Sequence, residues 1–417
     1  MNTVWAHRRS ACVTGCGLVS PLGCTLEDFE RALFEGRSAL TESELRLPGQ
    51  EPARLAVGRA DFDDTRVLSA SRLPLDRGSA MALAAAQQAF AAARLAPGGV
   101  APERLGVFWG SGMGGAATFD ATCRGLYAEA RRIRPTSVVT AMPNAPVAEL
   151  ALHFGARGAA IGYACACASS AVAIGEGLRA LREGRVDVAL VGGSEALLSP
   201  GVLGAWLAMR VLAPVDRGAA LACRPFAADR AGFALGEGAA ALVLETPAHA
   251  SARGAAWSTT LCGYATNCDG LHMTRPDAAG QARAMAAALH DAGLAPADIG
   301  HLNAHGTATD AGDAAEAESI ARVFGAHRPA VTASKAALGH LLGAGGAVEL
   351  LATLRALQHR TAPPTAAVAA PDPAFGIDLV CGAARPLPQL RHAMSNSFAF
   401  GGTNAVLVAS RRASPHA

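Results

Sequence analysis

Residues 162–177 read GYACACASSAVAIGEG. A strand-like run, AAIGYAC, gives way here to ASSAVAIGEGLRALREG, whose apolar residues recur at helical spacing. Cys167 stands at the junction, and the small neighbours Ala166, Ala168 and Ser169 leave room for a substrate to approach. A thiol at a helix N-terminus feels the positive end of the peptide dipoles, which favours the thiolate. Cys165, two residues earlier and inside the strand, is expected in the core. Core packing is the competing role for both thiols, because free cysteine is among the most buried residue types. A structural zinc site wants C-x2-C pairs with further Cys or His at fixed spacing. No such pair is adjacent, and no metal is expected.

The strand-to-helix step at Cys167 repeats outward along the chain. ACVTGCGLVSPLG, LGVFWGSGMGG, VDVALVGGSEA and AAALVLE read as strands, the third apolar without interruption, as buried parallel strands are. SAMALAAAQQAFAAARLAPGG reads as a helix of strong formers with a Pro-Gly-Gly stop. In the second half STTLCGYATN, IGHLNAHGTAT and HAMSNSFAFGGTNAVLVAS supply strands; AGQARAMAAALHDAGLAP, GDAAEAESIARVFG and GAGGAVELLATLRALQH supply helices. This alternation implies mostly parallel α/β layers, with a break near 250–256. LTESELRLPGQEPARLAVGRADF reads as an irregular polar excursion.

The chain has 417 residues, 51% of them hydrophobic and 17% charged, so a sizeable core is available to two or three domains or one large composite. A net charge of +2 with mixed signs gives no support to nucleic-acid binding. The first residues lack the uninterrupted apolar region of a secretory signal, and no uncharged apolar run reaches ~18 residues, so no membrane span is expected. Ten scattered cysteines in apolar or small-residue surroundings read as reduced thiols of a cytoplasmic protein rather than a disulfide frame.

Two histidines compete with ordinary structural roles. NAHGTATDAGD puts His305 at the end of an apolar strand, and SKAALGHLLGAGGAVE puts His340 beside Gly339, with Lys335 five residues earlier. Glycine-bounded loops at strand ends are where α/β proteins place their chemistry. GSGMGG, residues 110–115, has the spacing of a dinucleotide fingerprint. That motif wants an acidic residue ~20 positions on, at the end of the next strand. Glu129 has the spacing but lies in a helix-like stretch, GLYAEARRIR, so a nicotinamide cofactor is not expected, nor any other.

ACACASSAVAIG, NAHGTAT and SKAALGH together closely resemble the β-ketoacyl-acyl carrier protein synthases, the elongating condensing enzymes of fatty acid and polyketide synthesis. VTGCGLVSPLG, GSGMGG, RPFAADRAGFALGEGAAALVLE, HMTRP and NSFAFGGTN extend the match over nearly the whole chain. The resemblance implies an α/β thiolase fold: a five-layer αβαβα sandwich of two duplicated halves, here 1–255 with the cysteine and 256–417 with the histidines. It implies that Cys167 carries an acyl chain and that His305 and His340 assist decarboxylation of a malonyl extender, with Lys335 supporting them. Backbone N–H groups of Cys167 and Phe400 would form the oxyanion hole. Thr307 and Thr309 match the threonines that hold the pantetheine arm, and Phe400 the gate over the acyl pocket. Met113 and Trp206 match acyl-pocket wall positions. Arg131, Arg132 and Arg210 match arginines that dock an acidic acyl carrier protein. A homodimer, or a heterodimer with a related condensing-enzyme subunit, is implied.

The chain departs from the family pattern where Ala227 and Ala231 replace aspartates and Ala336 replaces a serine. These changes and Trp206 point to a specialised fatty acid or polyketide/polyene route. The alternative is a non-catalytic partner like the chain-length factors, which lack the cysteine. A degradative thiolase would use a second cysteine as base, and an initiating synthase would pair one histidine with an asparagine.

Overall fold

The computed structural model describes residues 10–412 apart from residue 97. Ten strands carry the architecture. In the first half β1 (Ala11–Val19), β2 (Leu105–Gly110), β3 (Ala160–Tyr163), β4 (Val188–Glu195) and β5 (Gly238–Glu245) lie in the order β3-β2-β4-β5-β1. In the second half β6 (Thr259–Cys268), β7 (Ile299–Asn303), β8 (Ala330–Thr332), β9 (His392–Phe398) and β10 (Thr403–Arg411) lie in the order β8-β7-β9-β10-β6. Numbered within each half, both orders read 3-2-4-5-1. The directions match too: in each half the third, second and fourth strands run parallel to one another, and the last two pairings are antiparallel. A repeat invisible as sequence periodicity is thus explicit in topology. The halves join edge to edge where Ala11 pairs with Leu261 and Cys12 with Thr260.

Helices cover the sheets on both faces. α1 (Arg77–Ala93) packs on β1 and β5, α3 (Ser169–Arg182) on β2 and β4, α4 (Ala278–Ala292) on β6 and β10, and α6 (Gly345–His359) on β7 and β9. Between them in sequence lie α2 (Ala116–Glu129) and α5 (Asp310–Phe324), the latter packed on α4. α3 and α6 pack on each other between the sheets, giving five layers, α-β-α-β-α. Both helices are buried almost all round, as a helix in the middle layer must be. Their close approach depends on Gly346, where a Cβ would stand 2.8 Å from Ser397 Oγ and 2.9 Å from Ala171 Cβ.

The polar excursion is not irregular. Leu40–Leu45 and Ala53–Gly58 form a hairpin, with Val57 and Gly58 also pairing with Leu235 and Gly236. LTESEL carries only two apolar residues, Leu40 and Leu45, and both are buried. Too little apolar alternation remained on this short ribbon to announce a strand. The arginine-rich stretch after α2 is likewise not helical: α2 ends at Glu129, and Arg131 and Arg132 follow in an exposed loop.

Candidate active site

Each half delivers a candidate site residue to the N-terminus of its central helix. Cys167 sits in a 3-10 turn, Ala166–Ala168, directly before α3; His340 precedes the corresponding turn, Leu342–Ala344, before α6. Both turns open on a non-glycine residue in the left-handed region, Ala166 at φ 46° and Leu342 at φ 40°. Such strain persists only where the surroundings over-determine it. His305 follows β7, and Lys335 begins the short helix Lys335–Leu338 after β8.

His340 Nε2 lies 3.0 Å from Cys167 Sγ. The N–H of Leu342 donates to His340 Nδ1 at 3.2 Å, so the proton of the neutral ring is on Nε2 and points at the sulfur. His305 repeats the arrangement. Lys335 Nζ, 2% exposed, donates to His305 Nδ1 (3.2 Å), to the His305 carbonyl and to Glu349 Oε1, three acceptors for its three N–H groups. His305 therefore also presents Nε2–H. The two rings meet edge to face at 5.5 Å between centroids. Burial pushes both imidazoles well below the usual histidine range, and the positive charge of Lys335 adds to this; His340 adds further to the shift of His305. Both are neutral donors at neutral pH.

The thiol departs from the expectation of a favoured thiolate. Burial pushes Cys167 up to about 11, against the opposing pull of Lys335 and of the backbone N–H groups of Phe400 and Cys167 itself, which face the sulfur. Desolvation outweighs the helix terminus, and the resting group is the thiol. Cys165 is half-buried and packs against the core; β3 ends at Tyr163, before it rather than around it. The ligand atoms of Cys167, His305 and His340 lie within 4.8 Å of one another, close enough to hold a cation. The donor set does not fit one, because both Nδ1 atoms accept hydrogen bonds and both Nε2 lone pairs are occupied by protons.

Two carboxylates not singled out in the sequence complete the frame. Glu316, on α5, accepts the N–H groups of His305 (2.8 Å) and Gly306 (2.7 Å) and the Asn396 amide. Glu349, on α6, takes Lys335. Burial raises both carboxylates. In the sequence Glu349 is only a charge within the apolar run GAGGAVELLATLRALQH, and nothing local marks Glu316.

The trio opens into a cavity of about 290 Å³, also lined by Trp206, Phe233, Thr307, Thr309 and Phe400. Thr307 and Thr309 hydroxyls bond each other at 2.8 Å, and Thr309 caps α5. Trp206 stacks on Phe400 (6.1 Å, 22°) and meets the edge of Phe233, which in turn abuts His340. Met113 does not line this cavity. It is 38% exposed, with its backbone N–H bound to Glu195, in a loop whose other residues are buried or half-buried. Arg131, Arg132 and Arg210 are exposed, and Arg131 pairs with Glu129. Beside Ala227 and Ala231, Arg230 faces Asp310 and Asp372 at 3.5 Å each, so its charge is met from other elements.

Comparison with known proteins decides the family. The β-ketoacyl synthase N-terminal domain profile matches residues 8–250, and the C-terminal domain profile residues 259–369. The chain belongs to the β-ketoacyl synthase family. It is 40% identical over 406 residues to nodulation protein E of Rhizobium meliloti, covering 96% of this chain and 98% of that one. It is 35% identical over 411 residues to 3-oxoacyl-[acyl-carrier-protein] synthase 2 of Coxiella burnetii, covering 97% and 99%. The ishigamide ketosynthase/chain length factor superposes with a TM-score of 0.89 at 31% identity, covering 97% of this chain and 100% of that one. The fold is the thiolase fold of this β-ketoacyl synthase family, whose members are acyltransferase-type condensing enzymes. Among the described residues no helix is long and apolar enough to cross a membrane.

Proposed function

We propose that this β-ketoacyl synthase joins an acyl group on Cys167 to the two-carbon unit of a malonyl-acyl carrier protein. The observation that carries this is the pair of pinned imidazoles, each with Nδ1 occupied and Nε2–H turned into the cavity that holds the sulfur. In the first step the sulfur attacks the thioester carbonyl of the incoming acyl chain. The oxyanion accepts the N–H groups of Cys167 and Phe400, and the carrier's thiol leaves with the proton. In the second step the malonyl thioester oxygen accepts both Nε2–H groups, which stabilise the enolate as CO2 departs. The enolate carbon then attacks the acyl-cysteine carbonyl. A C–C bond forms, the C–S bond breaks, Cys167 leaves as the thiolate and takes a proton from water to regain the resting thiol, and the chain, two carbons longer, stays on the carrier. Thr307 and Thr309 hold the pantetheine arm, and Trp206 and Phe400 bound the acyl side. The intact cysteine and the two pinned histidines favour a catalytic subunit over a chain-length-factor partner.

The same reading divides the chain at 255/256 into a cysteine-bearing and a histidine-bearing half, and places the enzyme in the cytoplasm, where ten free thiols stay reduced. It pairs two subunits, identical or related, through the exposed edge strand β3 and the apolar side chains of Val138, Leu152 and Ile161 nearby, since an open strand edge invites a partner strand.

Substitution of the histidines tests the division of labour. His305→Ala and His340→Ala are expected to accept acyl groups while malonyl decarboxylation falls by ~10²–10³, the effect of losing an oxyanion donor. The parent rate is expected to hold from pH 8 to below the usual histidine value, because protonation of either ring is pushed to lower pH. Variants that decarboxylate normally but fail to load would reverse the roles.

A further inference from the structure

The end of β4 holds a carboxylate that the chemistry above does not use. Glu195 is 1% exposed and meets four donors. Its Oε2 accepts the N–H of Gly112 (2.6 Å) and of Gly343 (3.0 Å); its Oε1 accepts the N–H of Met113 (3.1 Å) and the Ser111 hydroxyl (3.2 Å). The first three of these residues in sequence belong to the GSGMGG loop of the first half. Gly343 belongs to the turn between His340 and α6 in the second. No space is left between the two: a Cβ on Gly343 would stand 2.3 Å from Gly112 N and 2.5 Å from Glu195 Oε2.

We propose that Glu195 is a positioning residue for His340. Leu342 is the link. Its N–H holds His340 Nδ1, yet its backbone is in the left-handed region, which costs a branched apolar residue free energy. The next residue, Gly343, is tied to Glu195. The carboxylate thereby keeps Leu342 in the conformation whose N–H orients the imidazole, and the imidazole keeps Nε2–H on Cys167 Sγ. The same carboxylate fixes the loop carrying Met113, so the loop after β2 and the catalytic histidine share one anchor. Burial raises Glu195 to about 7 against the opposing pull of these donors. An amide is a poorer substitute, since in either orientation its NH2 would confront at least one backbone N–H that needs an acceptor.

The thiol reactivity of Cys167 tests this directly and does not depend on the proposed condensing activity, on which only the rate of condensation rests. Alkylation by iodoacetamide at pH 8, followed by mass spectrometry of the Cys167 peptide, reports the hydrogen bond from His340 to the developing thiolate. Glu195→Gln is expected to slow it about tenfold, the scale of one lost charge-assisted hydrogen bond, with Glu195→Asp recovering part of the rate and condensation falling in kcat more than in KM. A folded Glu195→Gln protein that melts earlier but alkylates at the parent rate overturns the proposal, because a merely structural carboxylate would do that. If neither Glu195 variant folds, Ser111→Ala, which removes one donor, is expected to slow alkylation two- to threefold. An unchanged rate there overturns the proposal equally. Normal alkylation kinetics in a parent protein that fails to condense would instead count against the proposed function.

Discussion

At the scale of single residues, Trp206 is proposed to shape which acyl chains the site accepts. Its indole stacks on Phe400 and lines the cavity next to Cys167, and packed aromatic walls do not yield freely. Trp206→Ala is expected to shift the acyl-acceptor profile towards longer chains in a folded protein, read by competition between carrier thioesters of different length. An unchanged profile would leave Trp206 a packing residue. Cys167, His305 and His340, which the structure brings together at one cavity, stood out in the sequence as a Cys before a helix and two His in glycine-bounded loops, while their roles were implied by the family resemblance. Their protonation states were not. The expectation of a favoured thiolate weighed the helix terminus alone, whereas burial, a property of the assembled fold, raises the thiol. Glu195 was hidden because its partners come from distant parts of the chain, and Glu316 and Glu349 because their partners His305, Gly306 and Lys335, though 10 to 14 residues away, meet them only once loop and helix have folded together.

At the scale of elements, the site depends on how closely α3 and α6 approach, since Cys167 and His340 stand at their N-terminal ends. Gly346→Ala places a methyl against Ser397 and Ala171 and is expected to cost about 1–3 kcal/mol by overpacking. Denaturant unfolding measures this, together with a lower condensation rate as the helix starts separate. A variant as stable and as active as the parent would show that the interface has slack. Long apolar strands and alanine-rich helices were readable in order because each carries enough periodic apolar residues to reveal its type. The hairpin of Leu40–Leu45 and Ala53–Gly58 was not, because the first strand has only its two end residues buried and the second only a short buried run. Met113 shows a different gap: the family resemblance implied a place on the pocket wall, but its side chain is partly exposed and does not line the cavity beside Cys167.

At the scale of the whole molecule, duplication explains why one site draws on both halves. Each half presents a helix start, and the edge-to-edge sheet with its shared central layer brings the two together. Only the fold-level repeat makes this evident, since the halves share a strand order but no readable sequence period. On the outside, exposed Arg131, Arg132 and Arg210 are proposed to meet an acidic carrier protein. Charge reversal at all three is expected to raise KM for carrier-bound substrate several-fold, with the difference shrinking as salt screens exposed charges beyond ~8–10 Å. Reaction with small thioester mimics is expected to be unchanged; equal losses with both substrates would rule docking out. The claim on which the rest depends is that Cys167 becomes acylated. Incubation with an acyl-carrier thioester, followed by proteolysis and peptide mass mapping, tests it most directly. The expected result is one acyl group per chain on Cys167, absent from Cys167→Ala and retained in Cys165→Ala. An acyl group on Cys165, or a chain that accepts none from any carrier thioester, would contradict it.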